Sequence, residues 1–359
     1  MSLLSEYVAF QNGKKRPDSA GKYPVYGGNG VLDYASDFNM DGGVIIGRVG
    51  AYCGSVYLET GKCWVSDNAI KATGKGNVNL HYLYYLLKLQ NLNDLRIGTS
   101  QPLLTQGILN NLEAEIPPMD IQKKIGRFLS AFDDKIALNT RINDNLREQA
   151  DAVFDEAFLS RESLPAGWRK SSLSRIANYL NGLAMQKYRP VNGESGLPVL
   201  KIKELRQGMT DDNSERCSAN IKPEYIAHDG DIIFSWSGSL LVDFWCGGDC
   251  GLNQHLFKVT SAQFDKWFVY AWTKRYLYHF IAIAADKATT MGHIKREELD
   301  KAEVMIPSPD DYMKIGALMR PLYDSIIANR IESRRLSQIR DALLPRLMSG
   351  ELDVSALAL

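Results

Sequence analysis

The segment "NGKKRP", Asn12 to Pro17, sets Lys14, Lys15 and Arg16 side by side. Adjacent cations in a turn suit phosphate oxygens, which demand charge rather than shape; a solvated turn is the plain alternative. Close behind, "YPVYGGNG" offers Tyr26 and Asn29, and "GRVGAY" places Arg48 and Tyr52 among glycines that let a backbone come near a ligand. An arginine can hold guanine O6 and N7 with two nitrogens, and an Asn or Gln can do the same for adenine. "SDN", with Asp67 and Asn68, and Gln101 in "TSQP" add groups of that kind. The second half of the chain has its own set. It comprises Lys187, Tyr188 and Arg189 in "QKYR", Lys201 and Lys203 in "KIKELR", Trp236 in "FSWSGS", Gln254 and His255 in "NQH", and Thr290 and His293 in "KATTMGHIKR". No one of these is specific; together they form a candidate set for contact with DNA.

Other chemistry is harder to find. "GVIIGRVG", "ETGKC" and "TGKGN" all miss the spacing of a phosphate-binding P-loop, and "GGNG" opens no helix. The Asn/Asp-Pro-Pro-aromatic signature of amino-methyltransferases is absent, "IPPM" having the wrong flanks. His81, His228, His255, His279 and His293 are scattered, and lone histidines are more often structural or solvated than catalytic. Cys246 and Cys250 with His255 match no zinc spacing, so no metal is expected. Five cysteines at irregular spacing argue against a disulfide framework. Lys and Arg (42) balance Asp and Glu (42), which counts against unaided tight DNA binding but leaves room for a local basic face or for partners that supply charge. No signal-peptide pattern opens the chain and no run of about 18 apolar residues occurs, so a cytoplasmic protein off the membrane is expected.

What must position those residues is written twice. "IPPMDIQKKIGRFLSAFDDKI" (Ile116 to Ile136) and "IPSPDDYMKIGALMRPLYDSI" (Ile306 to Ile326) align without a gap. Stepping by four and three from Ile125 gives Leu129, Phe132, Ile136, Asn139, Asn143, Leu146, Ala150 and Val153. From Ile315 it gives Met319, Leu322, Ile326, Asn329, Ser333, Leu336, Arg340 and Leu343. That is the seam of a coiled coil, and about forty residues make a helix of roughly 60 Å. Pro321 and Pro345 are expected to kink or restart the second copy. Asn139 and Asn329 fall on the seam, where a buried Asn fixes register; a solvated break in the seam is the alternative. Economy favours antiparallel pairing of the two helices. Each is preceded by a globular segment of short β-branched runs and turns that begins alike, "LSEYVAFQNGKKR" and "LSRIANYLNGLAMQKYR". Framework retained with loops changed ("GRVGAYCGS" against "FSWSGSLLV", "SDN" against "NQH") fits two recognition surfaces on one scaffold, and also fits drift after duplication.

The order "FQNGKKRP…GKYPVYGGNG…IIGRVGAYCGSVY…WVSDNA", then "GTSQPLL…LNNLEAEIPP" running into the first long helix, then "LPAGWRKSSLSRIANYLNGLA", and last "LSQIRDALLPRLMSGELDV" resembles the specificity (S) subunit of Type I restriction–modification systems. The resemblance covers nearly the whole chain. It implies an α+β fold of two pseudo-two-fold-related target-recognition domains joined by two long helices in an antiparallel coiled coil. The expected divisions are residues 1–117 (first recognition domain), 118–163 (central spacer helix), 164–306 (second recognition domain) and 307–359 (C-terminal spacer helix). The resemblance further implies a subunit with no catalytic residues and no bound cofactor, each domain reading half of a split, asymmetric site in double-stranded DNA. Two modification subunits would bind S-adenosylmethionine and methylate adenine N6, and two restriction subunits would add ATP- and Mg-dependent translocation and cleavage. Half-sites about one helical turn apart, roughly 34 Å, suit helices of this length. Other readings are a scaffold or adaptor with degenerate recognition domains, or a fused methyltransferase, against which the missing signatures count.

Overall fold

A computed structural model describes residues 2–98, 102–191, 193–286 and 294–354. The chain forms two compact units, Met1–Lys135 with Leu336–Leu359, and Ile136–Arg335.

The first unit holds strands β1 (Ser2–Leu3), β2 (Val8–Asn12), β3 (Ala20–Gly27), β4 (Gly30–Ala35), β5 (Met40–Gly47), β6 (Val56–Val65), β7 (Ala69–Gly74) and β8 (Glu113–Ala114). Six of them make a sheet in the order β2-β7-β5-β6-β3-β4, and β1 pairs with β8. In β5 Val44, Ile45 and Ile46 are all buried, so the strand is covered on both faces. The helix Leu80–Leu89 starts where the Asn79 side chain accepts the Tyr82 N–H at 3.1 Å. The sheet cannot close its core alone. Ile125 and Leu129 from the helix Met119–Phe154, and Leu344 and Leu347 from the helix Pro309–Met348, pack with Val44, Ile46, Tyr82 and Leu86. Asp133 of the earlier helix accepts the Tyr85 hydroxyl at 2.6 Å and pairs with Arg340 of the later one.

The second unit contains β9 (Arg169–Ser172), β10 (Asn178–Asn181), β11 (Leu197–Leu200), β12 (Arg216–Cys217), β13 (Ile226–Ala227), β14 (Ile232–Ser235), β15 (Leu241–Phe244), β16 (Cys250–Leu252), β17 (Leu256–Thr260) and β18 (Glu303–Ile306). The sheet β10-β17-β14-β15 repeats the order β2-β7-β5-β6. Register repeats as well: Phe10 pairs with Ala72 and Ala72 with Val44, as Tyr179 pairs with Val259 and Val259 with Ile232. β11 runs parallel to β16 as β3 runs parallel to β6, and β9–β18 answers β1–β8. The duplication therefore extends from the helices to the sheets, although little sequence identity marks it there.

Within this unit the two long helices run antiparallel. Asn139 Nδ2 donates to Asn329 O (3.3 Å), Ser333 Oγ (3.2 Å) and Glu332 Oε2 (2.7 Å). Four residues on, Asn143 Nδ2 donates to Ile326 O (3.4 Å), and Asn329 Nδ2 donates to Asn143 Oδ1 (2.9 Å). Asn139 is fully buried, so the seam is closed rather than solvated at this layer. Above it Leu146, Ala150 and Phe154 pack with Met319, Tyr323 and Ile326. The helix Pro309–Met348 passes through Pro321 and Pro345 without a restart at either. A proline inside a helix forfeits one backbone hydrogen bond. Here Met319 and Tyr323 are buried on either side of Pro321, and Leu344 and Leu347 around Pro345, so packing holds the helix in register.

One node shows the duplicated frame with its side chains exchanged. In the first unit the Asn79 N–H donates to Gln122 Oε1 at 2.8 Å; in the second the Asp265 N–H donates to the Tyr312 hydroxyl oxygen at 2.9 Å. Burial would raise the Asp265 carboxyl, but Arg320 (2.9 Å) and the Tyr312 hydroxyl hold it below its ordinary value of 3.8. A carboxylate depressed by folding contributes stability that is complete above its unfolded value and fades as pH falls through the folded one. Acid titration is therefore expected to destabilise the wild type more steeply below pH 4 than Asp265→Asn, followed by tryptophan fluorescence; parallel curves would remove Asp265 from the account.

Candidate nucleic-acid interface

The frame comes to a tip where β2 ends against the turn between β6 and β7. The Gly13 N–H donates to Ala69 O (2.9 Å) and the Lys14 N–H to Val65 O (3.0 Å). This approach is too close for a side chain, since a Cβ on Gly13 would lie 2.0 Å from Ser66 O. The turn is closed by the Ala69 N–H to Ser66 O (3.0 Å). Arg48, one residue past β5, is threaded beside it: its N–H donates to Asn68 O (2.9 Å) and its carbonyl accepts from Leu104 (2.9 Å). The guanidinium reaches Asp67 O at 3.1 Å. Lys14, Arg48, Asp67 and Asn68 are thus brought together, with Lys14, Asp67 and Asn68 exposed. Gly28 approaches Asn68 O and Val49 O, which places exposed Asn29 at the edge of the same tip. Tyr52, half exposed, lies in the turn after Arg48.

The second unit builds the same tip from different side chains. The Gly182 N–H donates to Leu256 O (3.0 Å), the Leu183 N–H to Leu252 O (2.9 Å) and the Leu256 N–H to Asn253 O (3.0 Å). A Cβ on Gly182 would lie 2.3 Å from Asn253 O. Trp236 takes the place of Arg48: its N–H donates to His255 O (3.4 Å) and its carbonyl accepts from Ile294 (3.1 Å). Gln254 and His255 stand where Asp67 and Asn68 stand. His255 Nδ1 lies 2.9 Å from Ser237 Oγ, and Gln254 Nε2 lies 3.3 Å from His255 Nε2. The indole of Trp236 stacks on Phe257 and donates to Asn181 Oδ1 at 2.9 Å. Asn181 is a member of this cluster that the sequence reading did not select. Its signal was the Asn-Gly pair that opens both copies, Asn12-Gly13 and Asn181-Gly182.

Other candidate residues lie elsewhere. Tyr26 is buried, and its hydroxyl donates to Glu59 Oε2 at 3.1 Å; burial, then Glu59, pushes that phenol up, so Tyr26 is a packed, neutral core residue rather than a surface contact. Arg16 is paired with Asp33 and, with Lys15, borders a shallow cleft shared by Tyr34 and Asp67. Lys201 pairs with Glu215 (2.9 Å) and Lys203 with Asp211 (3.0 Å), both at the solvent-exposed surface. Lys187, Tyr188 and Arg189 are exposed on a turn whose Tyr188 carbonyl accepts from Ser218. Gln101, Thr290 and His293 lie outside the described residues. Among the described residues no group of three or more His, Cys, Asp or Glu is placed to hold a metal ion, and no helix is long and apolar enough to cross a membrane.

Gly13→Ala and Gly182→Ala are each expected to destabilise the unit that carries them, by about 1–3 kcal/mol, because backbone carbonyls must move to admit the methyl group. Denaturant unfolding measures this, and a loss below about 0.5 kcal/mol would contradict the close approach.

Comparison with known proteins gives three results. Residues 10–148 and 165–339 match the family described as the Type I restriction modification DNA specificity domain. The Type I restriction enzyme MjaIX specificity subunit of Methanocaldococcus jannaschii is 28% identical over 311 residues, 79% of this chain and 71% of that one; the EcoprrI specificity subunit of Escherichia coli is 26% identical over 162 residues, 44% and 40%. The crystal structure of a Type-I restriction-modification system S subunit from M. genitalium shares the fold, with a TM-score of 0.62 at 16% identity over 97% of this chain and 95% of that one.

Proposed function

Because the chain belongs to the Type I restriction modification DNA specificity family, we propose that it is the subunit that reads double-stranded DNA for such a system, one half of a split site per unit. The observation that carries this reading is the duplicated tip. A backbone frame kept to the level of individual hydrogen bonds presents Lys14, Arg48, Asp67 and Asn68 in one copy, and Leu183, Trp236, Gln254 and His255 in the other. A frame held constant while the groups it presents are changed is what two readers of different sequences require.

The chemistry of the tips differs accordingly. The first offers Lys14 to phosphate and Arg48 and Asn68 to base edges. The second offers an indole suited to stacking, an amide suited to adenine and an imidazole able to hydrogen-bond a base edge. Lys15 and Arg16 along the cleft that Asp67 shares, Asn29 at the edge of the first tip, and Lys187, Tyr188 and Arg189 in the second unit, serve the backbone around each half-site. The paired long helices set the gap between the halves. Catalysis belongs to partners in the cytoplasm: two modification subunits that use S-adenosylmethionine to methylate adenine N6, and two restriction subunits that use ATP and Mg. Gel-shift titration of a random-site DNA library, with and without modification subunits, tests the reading. Enrichment of a split motif is expected with them, and absence of any motif in both arms would sink it.

Replacing residues 1–117 with the corresponding part of a relative is expected to change one half of the motif and leave the other; a change in both halves contradicts independent reading. Inserting one heptad in each long helix adds about 10 Å, and the gap is expected to grow by about three base pairs or binding to fail. A full-strength site with its original gap would exclude the helices as the ruler.

A further inference from the structure

In the second unit the strands that lead to the tip are bolted to the C-terminal helix by two arginines. Arg330 Nη1 donates to Asp243 Oδ1 at 2.8 Å. Arg334, one turn later on the same face, forks onto Asp229 with Nη1 to Oδ1 and Nη2 to Oδ2, both 2.7 Å, and also donates to Cys246 O at 2.7 Å. All four side chains are mostly buried. Asp229 in turn accepts the Gly248 N–H at 2.9 Å, which ties the turn before β14 to the turn after β15. Asp243 sits within β15, paired across to Ile233 of β14. β14 ends at Ser235, and the next residue is Trp236. The base of the β14–β15 hairpin is thus clamped to the helix, and its far end carries the tip.

The clamp is absent from the duplicated frame. The gapless alignment of the two long helices sets Thr140 and Asp144 where Arg330 and Arg334 stand, and neither is a cation. A buried ion pair adds little net stability over an apolar contact, because desolvation offsets the attraction. What an arginine fork does supply is direction: two parallel hydrogen bonds fix the plane of the carboxylate. The second unit therefore carries an arginine fork with no counterpart at the aligned positions of the first copy.

We propose that Arg330 and Arg334 are positioning residues that set the tilt of the β14–β15 hairpin on the C-terminal helix, and so set how strictly Trp236, Gln254 and His255 choose bases in the second half-site. This rests on the DNA-reading function proposed above. The test is the split motif methylated or bound by the assembled complex, scored base by base, for wild type, Arg330→Met/Arg334→Met and Arg334→Lys, with thermal unfolding of each. The double variant is expected to lose about tenfold in discrimination within the second half-site, with the first half-site and the gap unchanged. The lysine variant keeps the charge, loses the fork and should relax the same positions less. If the double variant does not fold, the lysine variant alone decides. An unchanged motif, or equal relaxation of both half-sites, overturns the positioning role. Absence of a split motif in the wild type overturns the reading function itself, and is distinguishable because no variant enters that result.

Discussion

Neither unit closes its core without turns drawn from both long helices. In the first, Ile125 and Leu129 come from one helix and Leu344 and Leu347 from the other. In the second, Ala150 and Phe154 meet Met319, Tyr323 and Ile326. Each sheet thus packs on a pair of helices rather than on one, and antiparallel pairing is a requirement of the cores as much as of the seam. The Asn139, Asn143 and Asn329 layer fits this view. A buried amide layer is poor glue, yet it tolerates only the register in which its donors find acceptors.

On that base the chain separates what must stay from what is free to vary. The glycines at 13 and 182 admit carbonyls at distances no other residue allows, and the hydrogen bonds through Arg48 and Trp236 are backbone bonds, indifferent to the side chain. Such a frame accepts an arginine or a tryptophan at the same place with the same pair of backbone hydrogen bonds. The side chains then differ in charge, size and hydrogen-bonding sense without endangering the fold.

Much of this was legible in the sequence, and the misses have physical causes. The seam, the two-fold writing of the helices and the equivalence of "SDN" with "NQH" follow from spacing and order. The prolines misled because a local rule about helix interiors was outweighed by buried neighbours on both sides. Tyr26 misled because a tyrosine has an apolar ring and a polar end, and the residues that cover its ring, Met40, Ile45, Cys63 and Val65, are remote in the chain. Asp211 and Glu215, which pair with Lys203 and Lys201, both lie in the loop before β12, and loop closure of that kind leaves no periodic trace. Asn181 was passed over because the indole it accepts from is 55 residues away.

The dependence of the first unit on Leu344 and Leu347 has a bearing on biosynthesis. Those residues are translated long after the sheet they complete. While the intervening residues emerge from the ribosome, the apolar face formed by Val44, Ile46, Tyr82 and Leu86 lacks part of its cover, and a nascent chain with such a face invites chaperones or aggregation. The second unit, whose residues 136–335 are contiguous, can close earlier. Maturation would then run against the order of the sequence, with the part written first finished last.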